Sequence, residues 1–320
     1  MKKGFPFIFA IFAGLSYGML LLFFGRLDGV SFLKDLVVLM SIGYIFILPF
    51  AIGFITVFCA SDLCKNSWAY RIFMPVLVTA LMMAMTLMLG WEGAICLIMG
   101  GVIQFPMAML GGLISGILFS KASRRQYAVA LLLVMTAPMS SSYIESSLDF
   151  APRFELVETS IPIATSSEKI WPEIIRVRKI TEPITGVFYK MGFPKPIEAT
   201  LSHEGIGGVR EARFDKNLVF IETITEWVDH EMLSFAIEAD PAHTPLTTLD
   251  EHVTVGGEYF DVLQGTYRIE KINDTSSILH LSSRFRVSTH FNFYASVWAR
   301  FLMQDIQTSI LKVLQMRCEL

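Results

Sequence analysis

Residues 127–163 read YAVALLLVMTAPMSSSYIESSLDFAPRFELVETSIPI, and the chain changes character within this stretch. The apolar run that begins the quotation ends in the serines at 140–142. From Phe154, polar and apolar residues alternate as they do in a strand. Before Ala151 the chain contains nine Lys or Arg and six Asp or Glu, whereas from Ala151 onward it contains 17 and 23. The sequence therefore predicts a membrane-embedded part followed by a water-soluble domain.

The apolar part, residues 1–145, is long enough for several membrane-spanning helices, each of which needs about 20 apolar residues. We predict a transmembrane all-α helical bundle of about five spans. Its acidic and basic residues fall in loops or at helix ends, which favours an anchor over an ion or solute pathway. The predicted spans are residues 5–24, 36–59, 72–89, 94–119 and 127–144.

The Lys and Arg residues of the short loops predict how the bundle is oriented. With the N-terminus in the cytoplasm, the outer loops carry only Arg26 and Lys34. Five spans then place the soluble domain outside the cytoplasm, as a periplasmic domain if the membrane is a bacterial inner membrane. If the segment 127–144 does not cross, the domain is cytoplasmic. The inner loops carry Lys2, Lys3, Lys65, Arg71, Lys121, Arg124 and Arg125.

Composition narrows the classes of function. The formal net charge is −3 and no basic stripe is present, so we expect no nucleic-acid partner. The four cysteines and six histidines do not have the spacing of metal ligands, so we predict no metal and no cofactor. No G-x-S-x-G motif marks a nucleophilic serine. The cysteines are Cys59, Cys64, Cys96 and Cys318.

The order of elements in residues 150–320 predicts an α+β domain. A strand at 154–163 passes into two short helices, and a run of strands follows. A long amphipathic helix at 293–319 ends the chain. The predicted strands after the short helices are 197–202, 208–214, 218–227, 232–238, 251–263, 265–272 and 277–287.

Four stretches of this domain carry a family resemblance. They are SIPIATSSEKIWPEI (160–174), GIGGVREARF (205–214), FIETITEWVDHEMLSFAIE (220–238) and GTYRIEKINDTSSILHLSSRF (265–285). The domain resembles the START/polyketide-cyclase-like superfamily, also called SRPBCC or helix-grip proteins, and in particular its membrane-anchored bacterial members. The resemblance implies a curved antiparallel sheet around the last helix, with an internal apolar cavity for a lipid or another hydrophobic ligand. It implies no particular activity, because the superfamily has no shared catalytic set.

The turn at residues 215–217 predicts the register of one hairpin. A three-residue loop pairs Phe214 with Leu218 and places Arg210 opposite Glu222. An Arg–Glu pair on an apolar, concave face would orient the polar group of a ligand; a structural ion pair or a solvent-exposed face is the alternative. The predicted ligand-binding residues are Arg210, Phe214, Phe220, Glu222, Ile224 and Trp298.

We expect the domain to bind, and possibly transfer, a lipid or other hydrophobic ligand, and we assign no catalytic residue. The alternative is a cyclase, dehydratase or hydrolase that uses the same cavity, with an acid or base among Glu222, Tyr267 and His280. A third possibility is a protein-interaction module without a cavity. The sequence leaves the oligomeric state open.

The orientation can be tested with a reporter fused after Leu320. The excess of basic residues on the inner side predicts activity of a reporter that functions only outside the cytoplasm. Activity of a reporter that functions only in the cytoplasm would instead mean an even number of spans and a cytoplasmic domain.

Overall fold

The computed structural model describes residues 5–26, 41–239 and 255–319. Within it the chain divides into two compact units, Met1–Phe150 and Ala151–Leu320. The predicted start of the second span, at residues 36–40, lies outside the described residues, as does the start of the strand predicted at 251.

The described residues of the first unit form helices joined by short turns and loops. A π-helix, Gly43–Ile47, runs directly into the second α-helix. The α-helices are α1 (Phe5–Gly25), α2 (Leu48–Phe58), α3 (Asp62–Asn66), α4 (Trp68–Met88), α5 (Ala94–Lys121) and α6 (Arg124–Ser146).

Four of the described helices are long and apolar enough to cross a membrane, where five spans were predicted. They are α1, α4, α5 and α6, so the last predicted span is one of them although its sequence turns polar near its end. The described part of the second predicted span, Gly43–Phe58, is shorter. At 1.5 Å per residue it covers about 24 Å, less than the roughly 30 Å of a bilayer core.

Glycines bring the helices of this unit into close contact. Gly111 of α5 lies against the backbone of Phe50 in α2, where a Cβ atom would collide with the Phe50 carbonyl oxygen. Gly112 and Gly116, a small-x-x-x-small pair, lie against Arg71 at the start of α4. Small residues at such crossings allow backbones to approach and gain van der Waals contact. The glycines of α5 therefore serve helix packing.

Over its described residues, the second unit is a seven-stranded antiparallel sheet with three α-helices, in the strand order β1-β7-β6-β5-β4-β3-β2. The strands are β1 (Arg153–Ile163), β2 (Pro196–Leu201), β3 (Val209–Phe214), β4 (Val219–Val228), β5 (Met232–Ala239), β6 (Phe260–Asn273) and β7 (Ser276–Val287). The helices are α7 (Ser167–Ile175), α8 (Val187–Lys190) and α9 (Asn292–Cys318).

Of the strand predicted at 251–263, residues 260–263 lie in β6, which continues without a break into the strand predicted at 265–272. The predicted break at Gln264 was wrong: the chain there has a local register shift between Val262 and Gln264, which does not end the strand. Gly265 instead makes room for the Phe235 ring of β5: a Cβ atom here would lie 2.5 Å from Phe235 Cε2. The glycine thus marks a close side-chain approach within the sheet.

The long helix α9 packs against the inner face of the curled sheet and serves two purposes along its length. Its C-terminal half contributes Leu311 and Leu314 to the main hydrophobic core, together with Ile163, Ile174 and other residues of α7 and the sheet. Complete burial of each such side chain contributes about 1.5–3 kcal/mol. The turns of α9 that come before Leu311, from Leu302 to Ile310, line a cavity.

Gln307 of α9 fixes the helix to the edge of the sheet. Its amide nitrogen donates to the Val157 carbonyl oxygen (3.1 Å) and to Ser283 Oγ (2.9 Å). Its amide oxygen accepts from Thr159 Oγ1 at 2.7 Å. Since the side chain is buried, these bonds offset the cost of removing a polar amide from water.

Arg317 fixes the other end of α9. Its guanidinium donates to both carboxylate oxygens of Glu182, at 2.7 and 2.9 Å, and to the carbonyl oxygens of Arg178 and Lys179. These hydrogen bonds lower the pKa of Glu182 from 4.5 to about 2. The pair therefore joins the helix to the loop that follows α7.

A Glu182→Gln change tests this connection through its pH dependence. The carboxylate of Glu182 is stabilised in the folded chain, so its contribution is present above about pH 4.5 and is lost as the pH falls toward about 2. We expect the variant to have a lower Tm than the wild type at about pH 7, with a difference that narrows toward about pH 3. Thermal unfolding of the full chain in detergent measures it, and Glu204→Gln in an exposed ion pair is the control. A Tm difference that does not change with pH would contradict the assignment.

Candidate functional site

A cavity of about 130 Å³ lies between the sheet and α9. Most of its lining is apolar. Arg210, Glu222, Tyr267, Ser283 and Gln307 are among the polar side chains that reach it. The apolar lining includes Val177, Ile180, Phe193, Ala199, Ala212, Phe214, Phe220, Phe235, Ile237, Val262, Leu281, Leu302, Met303, Ile306 and Ile310.

The hairpin between β3 and β4 has the predicted register. Phe214 N donates to the Leu218 carbonyl oxygen at 2.8 Å, and Arg210 is the cross-strand partner of Glu222. Lys216 and Asn217 in the turn have positive φ angles of 58° and 65°. The turn therefore fixes which side chains of both strands face inward, as the sequence predicted.

Arg210 and Glu222 form a buried ion pair at the cavity wall. Arg210 Nη1 lies 3.3 Å from Glu222 Oε2, and the two side chains are only 4% and 10% exposed. Burial raises the pKa of the Glu222 carboxyl, while the Arg210 charge opposes that shift. Both charges are thus buried where an isolated charge would be strongly destabilising. Each partner is needed to offset the free energy lost when the other is removed from water.

Aromatic rings hold the guanidinium in place. The Arg210 Cζ atom lies 5.2 Å from the centre of the Phe235 ring and 5.8 Å from that of Tyr267, distances typical of cation–π contacts. Burial raises the pKa of the Tyr267 phenol, while the Arg210 charge opposes that shift. Strands β3, β5 and β6 therefore all contribute to the position of one cation.

Part of the hydrogen-bonding capacity of the pair is unused. Among the described residues, Arg210 Nε, Arg210 Nη1 and Glu222 Oε2 have no hydrogen-bond partner. A buried donor or acceptor left without a partner costs about 1–3 kcal/mol, and more if it is charged. Arg210 Nη1 and Glu222 Oε2 remain each other's ion-pair partners at 3.3 Å, so Arg210 Nε is the position of the pair that has no partner among the described residues.

The other predicted binding residues divide into two groups. Phe214 and Phe220 line the cavity, with their rings 5.1 Å apart in an edge-to-face arrangement. Ile224, on the same face, is 1% exposed and packs in the main core instead. Trp298 lies one turn before the part of α9 that lines the cavity, and its ring contacts Tyr294 and Phe301.

His280 does not belong to the cavity. Alternate residues of β7, such as Leu281 and Ser283, point inward, which places His280 on the outer face of the sheet. There its Nδ1 lies 3.1 Å from Glu158 Oε1 and its Nε2 lies 3.2 Å from Glu270 Oε2. The hypothesis of an acid or base at His280 was therefore wrong, and of the three candidates only Glu222 and Tyr267 reach the cavity.

Sequence reasoning missed the contributions of β5 and α9 to this site. Phe235 and Met303 line the cavity but carry no motif of their own. The alternation of β5 predicts two faces without saying which is inward, and the cavity face of α9 is apolar like its core face. Among the described residues, no cluster of three or more His, Cys, Asp or Glu could hold a metal ion.

No family model and no curated protein sequence matches the chain. Among solved structures, it is similar to the Zhui aromatase/cyclase from Streptomyces sp. R1128, with 14% identity over 52% of this chain and 94% of that one, at a TM-score of 0.33. It is similar to truncated norcoclaurine synthase from Thalictrum flavum, with 9% identity over 52% and 95% and a TM-score of 0.33. A protein from Thermus thermophilus has 16% identity over 51% and 97%, with a TM-score of 0.34.

The architecture of the second unit is itself that of a helix-grip domain. A curled antiparallel sheet and a long C-terminal helix line the cavity, and this arrangement fits the helix-grip fold that the sequence predicted. The similarities to solved structures leave the activity open, because identities of 9–16% and TM-scores of 0.33–0.34 are too low to transfer it.

Substitutions at the ion pair test whether it is desolvated. Glu222→Ala leaves the Arg210 guanidinium buried without a counter-charge, which we expect to cost about 3–5 kcal/mol of unfolding free energy. Arg210→Met combined with Glu222→Leu removes both charges and should cost less. Denaturant unfolding of the full chain measures both, with Glu204→Ala in the exposed pair with Arg176 as the control, expected to cost about 1 kcal/mol or less. Equal stabilities of Glu222→Ala and the wild type would show that the pair is solvated.

Proposed function

We propose that the second unit binds a hydrophobic small molecule in its cavity, and that the apolar helices of the first unit hold it at a membrane. The observation that carries the proposal is the combination of a largely apolar cavity with a buried ion pair in its lining. Ligand sites in proteins are mostly apolar with a few polar groups that fix orientation. Phe214, Phe220 and Met303 would bury the apolar body, while Arg210 and Glu222 would hold the polar group.

The volume limits what can be buried. Sites for drug-sized ligands are about 300–1,000 Å³, whereas this cavity is about 130 Å³. A whole phospholipid would therefore not be enclosed. A lipid or isoprenoid-like ligand taken from the bilayer could place one end in the cavity, with each CH₂ group that enters contributing about 0.8 kcal/mol.

The membrane context rests on the four long apolar helices. The distribution of basic residues supports a cytoplasmic N-terminus and a soluble domain outside the cytoplasm. A domain tethered in this way would exchange hydrophobic ligands with the adjacent bilayer, where such molecules concentrate.

Mass spectrometry of molecules that copurify with the full chain tests binding. Ala212 lines the cavity, and Ala212→Phe would fill part of it. We expect the wild type to retain a small apolar compound and Ala212→Phe to lose at least about nine-tenths of it, a tenfold weakening that corresponds to about 1.4 kcal/mol. Ile221→Phe, on the neighbouring strand and outside the cavity lining, is the matched control and should retain it. Equal retention by all three proteins would contradict the proposal.

A second candidate function is catalysis in the same cavity. The observation in its favour is that Glu222 and Tyr267, both with raised pKa values, face one cavity beside a cation. A carboxyl whose pKa is raised toward neutrality is suited to general acid–base chemistry, as a cyclase or dehydratase requires. Incubation of the copurified compound with fresh protein separates the two functions: turnover by the wild type and binding without turnover by Glu222→Gln would indicate an enzyme.

A further inference from the structure

Five basic residues meet at one end of the first unit. The Lys65 Nζ atom of α3 lies 4.7 Å from the ring centre of Phe119 in α5 and 5.6 Å from that of Tyr127 in α6, so these three helices come together there. Gly116 of α5 lies against the Arg71 side chain at the start of α4, which adds a fourth helix. The basic residues of this end are Lys65, Arg71, Lys121, Arg124 and Arg125.

These positive charges have almost no counter-charge. Asp62 is the only acidic residue in the segments 59–75 and 113–130 that form this end. It lies 4.0 Å from Lys65, and its side chain is 81% exposed. Among the described residues, the other four basic side chains form no ion pair with a carboxylate. This end of the unit therefore carries a surplus of positive charge that an anion would offset.

Arg71 is the most deeply buried of the five, at 6% exposed. Its Nε donates to the carbonyl oxygen of Lys65, and its Cζ lies 5.4 Å from the ring centre of Trp68. Neither contact neutralises the charge of the guanidinium. A buried charge without a partner is strongly unfavourable. The position of Arg71 thus calls for an anion that the described residues do not supply.

The start of α6 points to the same chemistry. The helix begins with Arg124 and Arg125 and has no acidic residue in its first turn. A helix N-terminus carries a partial positive charge, so acidic residues are favoured there and basic residues are not. The two arginines add to this charge instead of offsetting it. Helix N-termini bind phosphate and similar anions, which would compensate both contributions.

Exposed apolar side chains lie at the same end of the unit. Leu63 is 82% exposed and Trp68 is 61% exposed. Tryptophan is enriched at the level of lipid head groups, and the basic residues predict that this end faces the cytoplasm, where anionic lipids make the membrane surface negative. An anion that carries acyl chains fits both the charge and the apolar surface, whereas a soluble anion would use the charge alone.

We propose that this basic end of the first unit binds the head group of an anionic phospholipid. The phosphate pairs with the Arg71 guanidinium and with the exposed charges of Lys121, Arg124 and Arg125, while Trp68 lies at the level of the head group. The inference rests on the part of the proposed function that places these helices in a membrane.

Two lipids with the same acyl chains and different head groups test the inference: dioleoylphosphatidylglycerol, an anion, and dioleoylphosphatidylcholine, which has no net charge. The full chain is purified in detergent and freed of lipid, and native mass spectrometry measures the Kd for each. The wild type should bind phosphatidylglycerol at least about tenfold more tightly, because several basic residues attract its phosphate.

Neutralising the exposed basic residues should remove this preference. In the variant that combines Lys121→Gln, Arg124→Gln and Arg125→Gln, we expect the ratio of the two Kd values to fall to about threefold or less. The matched control makes the same change of net charge at exposed lysines of the second unit and should keep the wild-type ratio. It combines Lys169→Gln, Lys179→Gln and Lys190→Gln.

Arg71→Met tests the buried cation separately and should weaken binding of phosphatidylglycerol by about tenfold without changing that of phosphatidylcholine. If this variant does not fold, the triple variant of exposed residues decides. Inorganic phosphate that displaces phosphatidylglycerol at equal concentration would overturn the inference, since the site would then recognise an anion and not a lipid.

Equal affinity of the wild type for the two lipids, or an unchanged ratio in the triple variant, would also overturn the inference. Both results would leave the proposed function intact, because the chain would still associate with lipid. A full chain that stays soluble and monomeric without detergent would overturn the inference together with the membrane attachment in the proposed function.

Discussion

Taking the Arg210 guanidinium and the Glu222 carboxylate out of water costs several kcal/mol per ion before their mutual attraction is counted. The domain meets this cost by setting the two groups directly across a strand pair and surrounding the cation with the rings of Phe235 and Tyr267. Removing either partner would leave a buried charge. The pair therefore requires the register of β3 and β4 and the curl of the sheet to be maintained together.

The same geometry leaves part of the hydrogen-bonding capacity of the ion pair unused. A structural ion pair in a filled core would be expected to use all its hydrogen-bonding positions, since unmade bonds in an apolar setting are costly. Here Arg210 Nε stays without a partner among the described residues, and Arg210 and Glu222 both belong to the lining of a largely apolar cavity. Residues 302–310 of α9 line that cavity, while Leu311 and Leu314, further along the same helix, fill the hydrophobic core. Stability and a capacity for binding thus come from different parts of one helix.

Local patterns predicted those features that local rules control. The three-residue turn at 215–217 was enough to predict that Arg210 faces Glu222, because side chains alternate strictly along a strand. The helix order and the antiparallel strands followed from periodicity. The strand break predicted at Gln264 was wrong, since sequence alone does not show that β6 continues past a register shift and that Gly265 admits a neighbouring ring. His280 was misplaced because the inward face of β7 depends on tertiary packing. Trp298 lies outside the cavity lining, whose extent along α9 also depends on tertiary packing.

In the proposed complex, the Arg210–Glu222 pair in the cavity lining binds the polar group of the ligand. The most direct measurement is the NMR signal of the Arg210 Nε–H group in the full chain, assigned with Arg210→Met, during titration with benzyl alcohol. We predict that the signal shifts and that its proton exchanges more slowly with water as the Met303 methyl signal reports occupancy, while the signal of the exposed Arg176 stays unchanged. A shift at Met303 without any change at Arg210 would contradict the account, because the cavity would then be occupied without its polar end.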